Sequence, residues 1–190
     1  MSSQNKLKIK LIFGLMLLLF GLLINFFSAN YIDYKDLDNI NRNPDIILNQ
    51  IDYPHPNVMI VLEIVIIFSF FLFVWINRKE KENLINALIL LGLFSVLRGL
   101  FLPLTILGGL QGEGLLKGFT ISNTGLFPSG HIAYPLIFLF NTKKFKLLFF
   151  VALIFVGYGL LVSQQHYTID IFSSIIFIYA INSFMEKNIK

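Results

Sequence analysis

Cysteine is absent, which excludes disulfide staples and thiolate chemistry. Charge is scarce: 14% of the 190 residues are Asp, Glu, Lys or Arg, against roughly 25% in soluble domains. A water-soluble core of this size is therefore not the expected product. Neither an internal repeat nor a low-complexity tract divides the chain, and its length suits one domain, residues 1–190. The net charge of +4 does not point to nucleic acid, because the basic residues sit in short clusters between apolar runs.

What remains is apolar: 56% of the chain, with 21 phenylalanines, in long uncharged runs. These runs predict an all-α integral membrane protein, a bundle of six spans at about 8–29, 57–77, 84–107, 129–143, 147–163 and 167–185. The fourth is short and needs Ser129 to begin its helix and the lysines beyond Thr142 to snorkel. The first run is longer than a signal-peptide core, so it reads as a retained helix. Lys6, Lys8 and Lys10, then Arg78, Lys79 and Lys81, then Lys143, Lys144 and Lys146, then Lys187 and Lys190 all fall on one side of six spans. By the positive-inside rule that side is cytoplasmic, with both termini.

Five residues are out of place in such a bundle. Glu63, Arg98, His131, His166 and Asp170 fall within or at the ends of spans, all towards the opposite, extracytoplasmic face. Ionisable groups at membrane depth are costly and mark function by default. His166 and Asp170 are four apart and share a face on a helix. A carboxylate there fixes one ring nitrogen and leaves the other as a free lone pair. "PSGH" at 128–131 reads as a helix start with Ser129 as N-cap. Its unpaired amides and dipole suit a phosphate, and Gly130 admits it to the backbone. His131 would then face the anion. One oriented histidine for attack and a second for proton transfer make a phosphoryl-transfer site.

These residues resemble the type 2 phosphatidic acid phosphatase superfamily. "PSGH" is similar to its second motif, and His166-x-x-x-Asp170 to the core of its third. The resemblance implies metal-independent catalysis through a phosphohistidine, with His166 as nucleophile, Asp170 as its orienter and His131 as general acid. The superfamily's lysine-x6-arginine-proline motif is missing, and Ser163 is followed by Gln164 where an arginine is usual. A closer likeness is to the sphingomyelin synthase branch. "HYTID" at 166–170 and "SGHI" at 129–132 resemble its hallmarks, while "NPDIILNQIDYPH" and "LRGLFLPLT" resemble its proline-aspartate and arginine-bearing segments. Six spans are implied as well. The Gly-Asp that this branch places before "SGH" is replaced by "TGLFPSGH".

The scarcity of cations bears on the reaction. A phosphomonoester approaches a dianion and needs several basic partners, whereas the outer side offers Arg98, Lys117, Lys35 and Arg42, with only Arg98 near the site. A phosphodiester carries one charge, so the expected activity is transfer of a phospholipid headgroup to a lipid alcohol or to water. Substrate contacts are expected from Ser129, Gly130, Arg98 and Glu63, the last two lying at similar depth, where Glu63 either pairs with Arg98 or contacts a substrate amine or hydroxyl. The alternative is a lipid phosphate phosphatase of the phosphatidic acid or polyprenyl phosphate type. Lesser alternatives are a zinc hydrolase using His55, His131, His166 and Asp170, and a non-catalytic transporter or scaffold. No cofactor or metal is expected.

Overall fold

The computed structural model describes residues 2–34, 45, 47, 50, 55, 57–105, 127–164 and 166–188. Among these residues there are six α-helices and no strand: α1 Ser3–Tyr34, α2 Asn57–Asn77, α3 Lys81–Phe101, α4 Gly130–Phe140, α5 Lys146–Val162 and α6 Thr168–Asn188. A 3-10 turn, Leu102–Leu104, continues α3. Four helical stretches are long and apolar enough to cross a membrane: Gln4–Ile32, Asn57–Asn77, Lys81–Leu104 and Thr168–Asn188. The remaining two are shorter. The 11 residues of α4 rise about 16 Å and the 17 of α5 about 26 Å, against ~30 Å of hydrocarbon.

Local chemistry sets these limits. The expected fourth span, 129–143, ends early because Asn141 turns back on the helix. Its backbone N–H and its side-chain amide both donate to the Ile137 carbonyl, at 3.1 and 2.9 Å. Phe145 at φ 57° then reverses the chain before α5. In the other direction α1 outruns its expected span, starting at Ser3 and continuing to Tyr34.

The short α4 is the hub. It packs on α2, α3, α5 and α6, and Ile132, Ala133, Leu136, Ile137 and Phe138 are buried. Phe138 stacks on Phe73 of α2 with centroids 4.8 Å apart, and Phe149 of α5 meets it edge-on. Around this hub α1 packs chiefly on α3, and the approach is close. A side chain at Gly92 would bring a Cβ 2.7 Å from that of Leu17, and one at Gly99 would lie 2.6 Å from Ile24 Cγ2. Lipid supplies no hydrophobic drive between helices, so close backbone approach and interhelical hydrogen bonds hold such a pair. Both are present: Asn25 Nδ2 donates to the Ser95 carbonyl at 2.6 Å, and Ser28 Oγ to the Gly99 carbonyl at 2.7 Å.

The outward faces are apolar and exposed, from Leu19 and Phe20 on α1 through Phe68 and Phe71 on α2 to Ile154 on α5 and Phe172 on α6. So large an exposed apolar surface is foreign to a protein in water and marks a membrane protein. Long-range hydrogen bonds also gather one set of helix ends together. They join α1 to α3 (Ser28 to Gly99), α3 to the start of α4 (Arg98 to Pro128), and α4 to α6 (Ser129 to Asp170). His55 N–H, just before α2, donates to Val162 at the end of α5 at 3.1 Å. The opposite end carries the basic clusters, where Lys10 lies 3.6 Å from Glu82.

Candidate active site

At the gathered end, two chain turns meet: the entry to α4 and the entry to α6. The α6 turn carries His166 and Asp170. Spacing alone places both on a helical face, but α6 starts at Thr168, so His166 precedes it and Asp170 lies in its first turn. The contact is made by the carboxylate reaching back. Asp170 Oδ2 accepts the Tyr167 backbone N–H at 2.9 Å and lies 3.3 Å from His166 Nδ1. This is half of a capping box: a carboxylate at the third helical position bonds the N–H of the N-cap residue. Tyr167, at the N-cap, has no short side-chain acceptor to return the bond.

One oxygen therefore serves both donors, while Asp170 Oδ1 is buried without a hydrogen-bond partner among the described residues. Asp170 is fully buried and His166 nearly so. A buried carboxylate with an unsatisfied oxygen is costly unless positive charge comes to it. Arg98 lies within electrostatic reach of Asp170, and charge growing on the adjacent imidazole would add to that support.

The α4 turn is held from three sides. Arg98 Nε donates to the Pro128 carbonyl at 3.0 Å, Ser129 N–H to the Asp170 carbonyl at 3.2 Å, and Ser174 Oγ to the Ser129 carbonyl at 2.9 Å. The Phe127–Pro128 peptide is cis. Ser129 occupies the N-cap position as expected, yet its hydroxyl does not cap. Ser129 Oγ is buried and has no hydrogen-bond partner among the described residues. Beside it Gly130 faces open space, with nothing within 4 Å of where a Cβ would stand. An anion approaching here meets the first amides of α4 and an unused hydroxyl.

His131 follows, partly exposed, with its ring centroid 5.6 Å from that of His166 and the planes at 67°. The two motifs, read separately from sequence, thus converge. A single phosphoryl group is small enough to touch both rings at this separation.

Arg98 stands in the wall of this site, and its described hydrogen bonds go to Pro128 and, at 3.3 Å, to Asn25 Oδ1. Glu63 is buried on α2, next to Leu62, whose methyl groups pack on Gly159 of α5, one turn below Ser163. His55 contributes only backbone bonds among the described residues, and no three His, Cys, Asp or Glu side chains there are grouped to hold a metal. Lys35, Arg42 and Lys117 lie outside the described residues.

Two contributors escaped the sequence reading, and so did the role of a third. Ser174 continues the spacing of four that links His166 and Asp170, a polar stripe on an apolar helix that was there to be read. Asn25, a lone amide in an apolar run, carried a weaker signal. Asp45 stands in the proline-aspartate segment quoted above, but nothing there pointed to its bond with Thr168 at the start of α6.

No protein-family model matches the chain, and no curated protein does either. The fold and site define a helical membrane protein with a paired-histidine, carboxylate-supported cluster at one end of its bundle.

Proposed function

We propose that this protein is a six-span membrane enzyme with cytoplasmic termini that transfers phospholipid headgroups at the extracytoplasmic face through a phosphohistidine. The observation that carries the reading is the 5.6 Å approach of His131 to His166 while Asp170 holds His166 Nδ1. A structural pair of histidines has no need of a buried carboxylate on one ring and an open glycine beside the other.

With its proton on Nδ1, directed to Asp170, His166 presents the Nε2 lone pair. Nε2 attacks phosphorus; the N–P bond forms as the bond to the leaving lipid oxygen breaks. His131 gives its proton to that oxygen, so a neutral lipid alcohol departs. Charge on the phosphorylated imidazole is met by Asp170. In the second half an acceptor hydroxyl, from a lipid alcohol or water, loses its proton to His131 as its oxygen attacks phosphorus. The N–P bond breaks and both histidines return to their first states. The α4 amides, Gly130 and Ser129 Oγ are the phosphate contacts, with Arg98 the cationic partner and Glu63 a contact for a substrate amine or hydroxyl. Arg98 is the cation at this site among the described residues, and one arginine matches a singly charged phosphodiester better than a monoester dianion.

Full-length protein in lipid nanodiscs, offered labelled diacyl phospholipids and lipid monophosphates with and without an added lipid alcohol, tests this. Headgroup on the added alcohol is the expected result. Release of inorganic phosphate from monophosphates alone would assign a lipid phosphatase instead. The same assay separates the histidines. His131→Ala is expected to slow the first turnover, before the acceptor reacts, about 10²–10⁴-fold on natural lipids, yet far less on an analogue with a nitrophenolate leaving group, which departs without protonation. Equal losses on both substrates would remove the acid role from His131.

A further inference from the structure

The α6 start that carries His166 and Asp170 lacks a cap of its own, since Tyr167 stands at the N-cap position. Its cap comes from 123 residues away. Asp45, between α1 and α2, accepts the Thr168 backbone N–H on Oδ2 at 2.7 Å and the Thr168 hydroxyl on Oδ1 at 2.8 Å. The Ile47 N–H steadies the same Oδ1 at 3.1 Å. A carboxylate at a helix N-terminus satisfies an orphan donor and meets the positive end of the dipole.

The position of this bond matters. Thr168 is two residues from His166 on one side and two from Asp170 on the other. Without its cap the first turn of α6 is free to fray, and that turn fixes where the Asp170 carboxylate points. The other root of the same turn is tied as well, because His55 N–H bonds the Val162 carbonyl where α5 ends. Both anchors come from the stretch that joins α1 to α2. Nothing in the phosphoryl transfer itself uses Asp45.

We propose that Asp45 is a positioning residue: through Thr168 it sets the His166–Asp170 hydrogen bond on which the nucleophile depends. Its catalytic consequence rests on the reading given under Proposed function; its structural consequence does not. An asparagine at this position retains an acceptor for the Thr168 N–H, and its amide can donate to the Thr168 hydroxyl, which accepts as well as donates. Asp45→Asn is therefore the conservative rescue and Asp45→Ala the loss.

The test uses the full chain in nanodiscs with nitrogen-15 in its three histidines, assigned by replacing each in turn with glutamine. In the parent protein His166 is expected as a single tautomer protonated on Nδ1. Asp45→Ala is expected to give a mixture of His166 tautomers while His131 keeps its signals, and Asp45→Asn to restore the single form. Thr168→Val, which removes only the hydroxyl bond, should fall between them and remain folded if the alanine variant does not. In turnover, Asp45→Ala should cost kcat on the order of a hundredfold with KM little changed. An unchanged His166 spectrum in Asp45→Ala overturns the proposal, as does a loss confined to KM. If the parent protein turns over no lipid, the function fails, while the tautomer measurement still decides the role of Asp45.

Discussion

His166→Ala is expected to lower kcat by at least ~10⁴-fold on any lipid the protein accepts, since removing a nucleophile removes the covalent route itself. The substitution leaves the scaffold of the site in place. Ser129 is held by the Asp170 and Ser174 backbone and hydroxyl contacts, and Arg98 holds Pro128; none involves the His166 ring. Loss of activity in a protein that still folds, with its melting temperature lowered because the buried Asp170 loses its imidazole partner, is thus the expected pattern. Kinetics of substrate release separate this from a binding defect: kcat should fall far more than KM rises. Residual activity within tenfold of the parent would place the nucleophile elsewhere.

Asp170→Ala ranks second, with an expected loss on the order of 10⁴-fold in kcat. Asp170→Asn should be much milder, on the order of 10²-fold, and the geometry gives the reason. Both the His166 and Tyr167 donors use one carboxylate oxygen, Oδ2, so an amide oxygen in that place preserves both bonds and the tautomer. What the amide loses is the charge that supports the phosphorylated imidazole, and charged acceptors make hydrogen bonds roughly twice as strong as neutral ones. The Asp170 backbone carbonyl keeps Ser129 and Ser174 in either variant. Parallel rate measurements on the two variants check this; equal losses would mean that Asp170 acts through its charge alone and not by fixing the ring.

How much of this was legible in the sequence follows from the range of each interaction. All six helices were readable, because uncharged runs bounded by lysines have few other outcomes in a membrane. Their ends were less so: α4 stops at Phe140 through the Asn141 amide, a choice that hydropathy does not register. The identities of the paired motifs were also readable, since Pro-Ser-Gly-His and His-x-x-x-Asp carry local chemistry. Their exact mode of contact was not. Spacing put His166 and Asp170 on one helical face, whereas they meet across the helix start.

Partners distant in sequence were the blind spot. Depth placed Arg98 and Glu63 at a similar level, but depth says nothing of the loop carbonyl and the α1 amide that Arg98 bonds. Arg98 belongs to α3, which packs on α1, and its guanidinium holds Pro128 and Asn25. The seam that brings α1 to it depends on Gly92 and Gly99, whose importance appears only once a second helix is laid against them. Asp45 is the extreme case, a cap supplied to α6 from before α2.

The central claim is a covalent bond between phosphorus and His166, and trapping that bond tests it most directly. Protein in nanodiscs would be mixed with a phospholipid labelled in its phosphate, quenched in alkali within one turnover, where phosphohistidine survives, and digested for mass spectrometry. The account predicts label on His166, none in His166→Ala, and more label at the quench when the acceptor alcohol is withheld. Turnover of the lipid with no label on His166 would contradict it.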